Sequence, residues 1–322
     1  MNNYSWLQKK LHQLALSSQF IRETTYDVES SLFLNEQQTD NDVFVAGLAR
    51  SGTTILLNAL YESNEFASLS YNDMPFVLAP NLWSKLSFNK EDAVLIERAH
   101  GDGIKVSHKS PEAFEEVFWM TFNDLEEDTI RKFKKYIQLI KHRYDKNRYL
   151  SKNNQNIRRL EIISNNFPNS KVLIPFRDPI QHANSLLSQH KKFIQDSKED
   201  KFIANYMKLI GHTEFGPEYK PIYKRNLNFK NDLDINHWLE QWCLVYQNCF
   251  KTHQDKNNVN FICYEKLCSS KEYWFNILRM LDVKNIYDFE FKKSYREISS
   301  NIASNIDSDL AIKAKSLYLK MV

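Results

Sequence analysis

Short apolar runs alternate along the chain with longer segments in which apolar residues recur every three to four positions. Three of these runs are rich in β-branched and aromatic residues and are followed at once by a polar loop, a pattern typical of buried parallel strands. They cover residues 43–46, 172–176 and 259–264. Strands that alternate with helices predict an α/β fold of three layers, in which helices flank a mainly parallel central sheet.

The helical period of 3.6 residues predicts helices between and after these strands. One helix follows the first strand, another follows the second, and Ser110-Pro111-Glu112 has the composition of a helix start. The other predicted helices span residues 6–20, 129–148, 156–167, 233–254, 271–281 and 309–321. We expect a single domain over residues 1–322, with residues 1–41 as a polar lead-in and residues 191–232 as an inserted lid.

Composition excludes several classes of protein. With 42% apolar and 26% charged residues the chain is globular, and its net charge of +3 suits a small anion better than a nucleic acid. The four cysteines form no CxxC pair and have no histidine at zinc spacing, so we expect no metal site. The sequence shows no signal peptide and no run of about 18 apolar residues. This pattern predicts a cytoplasmic protein without a transmembrane segment.

The loop that follows the first strand reads Gly-Leu-Ala-Arg-Ser-Gly-Thr-Thr over residues 47–54. Its two glycines have the spacing of a loop that cradles phosphate with backbone N–H groups at the start of a helix. A nucleoside-triphosphate loop has Lys directly after the second glycine, where this chain has Thr53. That change, together with Arg50 inside the loop, favours a P-loop-like site for a shorter anion that needs no Mg²⁺.

Two motifs resemble those of the sulfotransferases that use 3′-phosphoadenosine-5′-phosphosulfate (PAPS), in particular the branch with tyrosylprotein, carbohydrate and bacterial enzymes. The first resembles the loop that binds the 5′-phosphosulfate, and its residues are Arg50, Ser51, Gly52, Thr53 and Thr54. The second is Arg177-Asp178-Pro179 at the end of the second strand, with Ser185 one helical segment later. The resemblance implies that Arg177 and Ser185 hold the 3′-phosphate, which the planar guanidinium matches well.

Two looser matches add further candidates. Lys152 lies upstream of a short helix, a Phe-Pro pair and the second strand, and the resemblance implies that it stabilises the bridging oxygen of the leaving group. Tyr264 follows the third strand and resembles a residue that lines the adenosine pocket; a half-buried tyrosine at a strand end is the alternative. The family's late loop over the nucleotide has its nearest counterpart at residues 299–301. The resemblance spans residues 43–282.

The general base, which takes the acceptor's proton, has several candidates. The tyrosylprotein branch has an acidic residue about twenty positions after the loop, which points to Asp73, with helix capping as its alternative. His108 is the second candidate, since histidine is a common proton acceptor near neutral pH. Glu115 and Glu116 come third, although an exposed helix face also accounts for them. His190 is a candidate for lining the acceptor side, with an ordinary surface histidine as the alternative.

The resemblance implies an enzyme that moves a sulfonate group from PAPS to a hydroxyl or amine, with 3′,5′-ADP as the other product and no metal. Arg50, Lys152 and the loop amides would neutralise the charge that grows on the leaving group. A carbohydrate or glycolipid is the expected acceptor, with peptide tyrosine as a further option, and residues 191–232 are expected on its side. The alternative functions are a P-loop nucleotide kinase or NTPase, and a nucleotide-binding protein without chemistry.

Overall fold

The computed structural model describes residues 6–34, 41–87, 96–97, 105–106, 110–199, 207–224, 227–292 and 303–322. The strands within these ranges are β1 (Val43–Val45), β2 (Phe66–Ala67), β3 (Ile96–Glu97), β4 (Lys105–Val106), β5 (Arg148–Lys152), β6 (Lys171–Phe176) and β7 (Val259–Cys263).

The helices in the same ranges are α1 (Trp6–Ser17), α2 (Gln19–Phe33), α3 (Thr53–Tyr61), α4 (Pro80–Leu86), α5 (Glu116–Thr121), α6 (Glu127–Tyr144), α7 (Leu160–Asn166), α8 (Pro179–Glu199), α9 (Ile235–His253), α10 (Tyr264–Ser269), α11 (Lys271–Met280) and α12 (Ser308–Met321). Among the described residues, no helix has the length and apolar character needed to cross a membrane.

Five strands form the central sheet in the order β2-β5-β1-β6-β7, and every neighbouring pair is parallel. Strands β3 and β4 form a separate antiparallel pair. The central strand β1 is fully buried, as expected of a strand covered on both faces. Val43 and Val45 pack with α3 and α11 on one face, and Phe44 packs with α6 on the other. The predicted three-layer α/β fold with a mainly parallel sheet is therefore confirmed.

Several predicted boundaries are wrong in the segment before the second predicted strand. The helix predicted for residues 129–148 ends at Tyr144, because Asp145 takes a left-handed conformation with a φ of 51°. Residues 148–152 then form β5, which pairs with β1. The apolar pattern does not predict this strand, since only two of its five residues are apolar.

The predicted helix start at residues 110–112 is also wrong. Pro111 forms an isolated antiparallel bridge with Ser70, and the N–H of Glu112 donates to the carbonyl of Leu69 at 2.9 Å. This pairing holds the backbone extended, so α5 begins only four residues further along the chain.

The predicted lead-in contains two helices that pack on the rest of the protein. The Glu29 carboxylate of α2 is buried and accepts the N–H groups of Asn81 and Leu82, at 2.8 and 2.9 Å, in the first turn of α4. Burial raises the pKa of Glu29, and these bonds oppose that shift. At the other predicted boundary, α8 continues to Glu199 and so includes the start of the segment predicted as a lid.

A buried ion pair fixes the start of β1. Lys141 Nζ in α6 lies 2.7 Å from Asp42 Oδ1, and both side chains are almost fully buried. The same Asp42 oxygen accepts the backbone N–H of Tyr149 at 2.7 Å. The pair therefore joins α6, β1 and β5, and β1 and β5 are the strands whose ends carry much of the site described below.

We expect Lys141→Met to lower the free energy of unfolding by about 3–5 kcal/mol, because it leaves the buried Asp42 carboxylate without this cation. The double variant Lys141→Met/Asp42→Asn removes both charges and should recover part of the loss. Urea unfolding followed by circular dichroism measures both values. A single-variant loss below about 1 kcal/mol, the size typical of an exposed pair, would contradict an anchoring role for this contact.

Candidate functional site

Residues of the predicted site end or follow four neighbouring strands at one edge of the sheet. Strand β5 ends at Lys152, β1 runs into the loop of residues 46–52, β6 is followed by Arg177, and β7 is followed by Tyr264. Val45 lies opposite Lys152 in the register of the sheet, so the lysine and the loop start side by side. Ligands of parallel α/β sheets bind at the carboxyl ends of the strands, which is this edge.

The loop after β1 reaches α3 through two residues in the left-handed region. Arg50 has a φ of 68°, and Gly52, which precedes α3, has a φ of 102°. A Cβ atom on Gly52 would lie 2.7 Å from Cδ2 of Tyr264, so glycine is needed both for the conformation and for the contact with the ring. Thr53 Oγ1 donates to Asn154 Oδ1 at 3.2 Å, which joins the start of α3 to the segment after β5.

Helix α8 holds this loop through two residues on one of its faces. His182 Nε2 donates to the carbonyl of Ala49 at 2.8 Å, and Arg50 Nε donates to Ser185 Oγ at 3.3 Å. Residues three apart lie on the same side of a helix, so both contacts stabilise the same corner of the loop. The predicted phosphosulfate loop and the predicted 3′-phosphate motif therefore meet in the fold, although 135 residues separate Arg50 from Ser185.

The His182 imidazole is fully buried and neutral. Burial, with smaller contributions from the positive charges of Arg177 and Arg50, lowers its pKa from 6.5 to about 3. A carbonyl oxygen only accepts, so the ring proton is on Nε2, where it bonds to Ala49. The Arg50 side chain contacts Ser185 of α8, the helix that begins two residues after Arg177, so both predicted anion-binding arginines belong to this corner of the fold. Sequence reasoning did not single out His182. The signal that could have found it is its position three residues before Ser185, which places both side chains on the same face of α8.

Tyr264 connects the same two motifs from another side. Its ring packs against Gly52, and the guanidinium carbon of Arg177 lies 5.5 Å from the centre of the ring. Its hydroxyl donates to the carbonyl of Lys292 at 2.7 Å. Burial raises the pKa of Tyr264 above that of an ordinary tyrosine. Tyr264 thus lies between the loop and the end of β6, and its place in an adenosine pocket stays a prediction.

The acid next to Arg177 stabilises a helix. Asp178 Oδ1 accepts the N–H groups of Ile180 and Gln181, at 3.1 and 3.0 Å, and so caps the start of α8. Its other oxygen lies 3.9 Å from Lys315 Nζ. The Asp-Pro pair of the motif therefore helps to begin the helix that contacts the loop.

A carboxylate that the sequence pattern does not single out lies beside Lys152. Glu112 Oε1 is 3.7 Å from Lys152 Nζ, and Glu112 Oε2 accepts from the hydroxyl of Tyr71 at 3.2 Å. The two side chains of the ion pair are only 7% and 11% exposed, Lys152 being the more buried. No local pattern reveals this contact, because the two residues come from separate segments that the sheet brings together.

Asp73, the first candidate for the general base, is completely buried in the 3-10 turn Tyr71–Asp73. Its Oδ2 accepts the N–H and the hydroxyl of Ser70, at 2.8 and 3.3 Å, and the hydroxyl of Tyr144. Its Oδ1 lies 3.7 Å from Arg143 Nε. Burial raises the pKa of the Asp73 carboxyl, and these contacts oppose that shift. The geometry matches the capping alternative, and the role of Asp73 as the base stays a prediction.

The exposed helix face expected for Glu115 and Glu116 is wrong: the Glu116 side chain is only 14% exposed, and Glu115 is buried. Its neutral donors are Trp119 Nε1 at 3.0 Å, Asn156 Nδ2 at 2.8 Å, the Tyr149 hydroxyl at 2.9 Å and the Ser151 hydroxyl. Glu116 receives two hydrogen bonds from the Arg159 guanidinium, at 2.7 and 2.8 Å. Both acids therefore bind α5 to the segment that contains β5.

His190 of α8 is buried and contacts the segment between α8 and α9. Its Nδ1 accepts the N–H of Gly216 at 3.2 Å, and its Nε2 lies 3.7 Å from Asp232 Oδ2. Burial lowers the pKa of His190, with the Asp232 charge opposing the shift. Its place on the acceptor side stays a prediction. His108 and residues 299–301 lie outside the described residues.

Comparison with known proteins identifies the family. A model of the sulfotransferase family matches residues 42–284, a range that includes all four strand ends of the site. This chain belongs to the sulfotransferase family. A search of curated proteins finds no match.

Solved sulfotransferase structures are similar to this sulfotransferase. STF1 from Mycobacterium tuberculosis is 12% identical, with 98% of this chain and 81% of that chain covered and a TM-score of 0.52. STF9 from Mycobacterium avium is 11% identical, with 99% and 79% covered and a TM-score of 0.48. An enzyme from Alicyclobacillus acidocaldarius is 15% identical, with 88% and 96% covered and a TM-score of 0.47. At these identities the likeness to STF1 shows the fold alone.

The site of this sulfotransferase gathers three cations, Arg50, Lys152 and Arg177, at neighbouring strand ends. Together with the start of α3, they suit a ligand with two separate anionic groups. Across the described ranges, no group of three or more His, Cys, Asp or Glu side chains is placed to hold a metal ion.

His182→Gln tests the neutral, buried state of the imidazole in the sulfotransferase, because the amide can still donate to Ala49 but does not titrate. In the wild type the unfolded chain binds a proton near pH 6.5 and the folded chain only near pH 3. Stability therefore falls as the pH is lowered through this window.

We expect the wild type to lose stability relative to His182→Gln by up to about 1.4 kcal/mol per pH unit between about pH 6 and pH 4. Urea unfolding of both proteins across this range measures the difference. Equal pH slopes for the two proteins would contradict a neutral His182.

Proposed function

We propose that this sulfotransferase transfers a sulfonate group from PAPS to a hydroxyl or amine of an acceptor and releases 3′,5′-ADP. The observation that carries the proposal is the contact between Arg50 and Ser185, together with the contacts of the Tyr264 ring with Gly52 and Arg177. PAPS has a 5′-phosphosulfate and a 3′-phosphate on one adenosine. Two arginines that follow the neighbouring strands β1 and β6 suit such a ligand.

The loop suits the 5′ end of the donor. The start of α3 presents backbone N–H groups and the positive end of the helix dipole, and Arg50 adds a full charge. The hydroxyls of Ser51 and Thr54, on either side of Gly52 in the sequence, are candidates for further donors, whereas that of Thr53 donates to Asn154. We therefore assign residues 50–54 to the 5′-phosphosulfate.

The end of β6 suits the 3′-phosphate. The Arg177 guanidinium can form two parallel hydrogen bonds to phosphate oxygens. The Ser185 hydroxyl, which accepts from Arg50, still has its own hydrogen to donate. The Tyr264 ring, next to Arg177, offers a flat apolar surface for the adenosine. These three residues complete the assignment of the donor site.

The chemistry requires position and charge. The acceptor oxygen must lie in line with the sulfur and the departing phosphate oxygen, and the growing charge on that oxygen must be neutralised. We assign this role to Lys152 and Arg50, which come from adjacent strands of the sheet. Because these side chains supply the positive charge, we expect turnover in the presence of EDTA.

A carbohydrate or glycolipid is the proposed acceptor, and the segment between α8 and α9 forms its side of the site. This segment packs beside the residues that follow β5. Arg158 donates to the carbonyls of Pro221 and Ile222, both at 3.1 Å, and Gln155 Nε2 donates to Thr213 Oγ1 at 3.3 Å. Polar side chains and backbone groups next to the Lys152 strand end suit a ligand with many hydroxyls. A single domain over residues 1–322 in the cytoplasm belongs to the same proposal.

A thermal-shift screen with 3′,5′-ADP, PAPS, ATP and GTP tests the donor assignment. We expect the unfolding midpoint to rise with the first two in EDTA and not with the triphosphates. A nucleotide kinase or NTPase would respond to ATP or GTP with Mg²⁺. A nucleotide-binding protein without chemistry would bind 3′,5′-ADP but transfer no sulfonate from PAPS to any acceptor.

Arg50→Ala and Arg177→Ala should each weaken 3′,5′-ADP binding by about 1–3 kcal/mol, or about 5- to 150-fold in Kd, because each removes charge-assisted hydrogen bonds to a phosphate. Isothermal titration calorimetry measures the change. Arg279→Ala is the control, since Arg279 is exposed on α11 and pairs with Glu272. Wild-type affinity in Arg177→Ala would contradict the assignment of the 3′-phosphate.

A further inference from the structure

One partly exposed acid faces the lysine assigned to the leaving group. Glu112 Oε1 lies 3.7 Å from Lys152 Nζ. The Glu112 side chain is 11% exposed, whereas that of Asp73 is 1% exposed. Glu112 can therefore meet a substrate that enters from solvent, and the Asp73 carboxylate cannot do so without a change in the fold.

The acids near the site all accept hydrogen bonds from protein donors, and Glu112 is among them, since its Oε1 also accepts the N–H of Ala113 at 2.9 Å. Asp73 accepts three hydrogen bonds from Ser70 and Tyr144. Glu115 accepts from four neutral side chains, and Glu116 forms a bidentate pair with Arg159. Protonation of Asp73, Glu115 or Glu116 would weaken contacts that position α5, β5 or the turn before α4.

The backbone around Glu112 fixes the direction of its carboxylate. The N–H of Glu112 donates to Leu69 at 2.9 Å, and Pro111 forms the bridge with Ser70. This pairing places Tyr71 beside Glu112, where the tyrosine hydroxyl donates to Oε2 at 3.2 Å. A base that is itself oriented by a third group is a recurring feature of sites that activate a nucleophile.

We propose that Glu112 is the general base of the transfer and that Tyr71 is the residue that orients it. This proposal rests on the proposed function. The acceptor oxygen forms its bond to sulfur while the bond between sulfur and the bridging phosphate oxygen breaks. The electron pair of that bond stays on 3′,5′-ADP beside Lys152. The acceptor proton moves to a Glu112 oxygen and is then released to water.

The distance between Glu112 and Lys152 is compatible with Glu112 acting on the attacking oxygen and Lys152 on the departing oxygen. The attacking and departing oxygens flank one sulfur atom, and reacting atoms approach to about 3–3.5 Å before transfer. A base needs to be about 2.6–3.2 Å from the oxygen whose proton it takes. A carboxylate in contact with the lysine of the departing oxygen is therefore within reach of the attacking oxygen on the other side of the sulfur.

The first test is Glu112→Gln, which keeps the shape of the side chain and an oxygen for Tyr71 but removes the proton acceptor. Hydrolysis of PAPS provides a rate without an identified acceptor, since water itself has a hydroxyl proton to lose. We expect turnover to fall by about 10²- to 10⁴-fold while the Kd for 3′,5′-ADP stays within about twofold of the wild type. Glu161→Gln, at an exposed acid in the first turn of α7, is the matched control and should keep wild-type turnover.

A second measurement separates proton transfer from a role in holding Lys152. A phenol that is ionised at the assay pH needs no base, so Glu112→Gln should lose far less turnover with it than with water or an alcohol. Formate should restore part of the turnover of Glu112→Ala by supplying a carboxylate. Equal losses for ionised and un-ionised acceptors, with no rescue by formate, would overturn the proposal.

Asp73→Asn decides between the two acids. We expect a lower unfolding midpoint, and any loss of turnover should be the same for ionised and un-ionised acceptors. A loss confined to un-ionised acceptors would overturn the assignment to Glu112. If the wild type does not bind 3′,5′-ADP, the proposed function fails and this proposal fails with it. If it binds and Glu112→Gln hydrolyses PAPS normally, only this proposal fails.

Discussion

The contact between the loop after β1 and helix α8 is the interaction on which the rest of the site depends. It places Arg50, whose backbone is in the left-handed region, against Ser185, and it holds the preceding peptide through His182. Arg50 and Arg177 carry like charges, and the neutral His182 imidazole adds no third positive charge to this part of the site. The order of the strands allows this contact. Because β1 and β6 are neighbours, the loop that follows β1 lies next to α8, the helix that follows β6.

The acids around the site divide into two groups by their surroundings. Asp73 and Glu115 are buried among protein donors and stabilise the elements that support the strand ends. Glu112 keeps part of its surface exposed beside Lys152. The strand ends therefore carry the three cations Arg50, Lys152 and Arg177, together with one partly exposed acid beside Lys152. Transfer of sulfonate to a neutral hydroxyl needs both features.

The sequence predictions are accurate for features that a few consecutive residues specify, and they fail for features that depend on contacts between distant segments. The first strand with its loop, and the second strand with Arg177, each occupy consecutive residues and were predictable from apolar runs and short motifs. Strand β5 has only two apolar residues, and its stability comes from its parallel pairing with β1 and β2. The segment before α5 has the composition of a helix start but pairs with residues 69–70, a competing contact that no local pattern contains.

Read in order along the chain, the residues specify the α/β layers, the sulfotransferase motifs and the cations that belong to them, because apolar periodicity and loop motifs act within a single strand or turn. Three facts required the folded chain: the pairing of Glu112 with Lys152, the neutral state of His182 and the hydrogen bond from Tyr144 to Asp73. Each depends on which strands become neighbours and on how far a side chain is removed from water. Those quantities arise from the packing of distant segments, and no stretch of neighbouring residues encodes them.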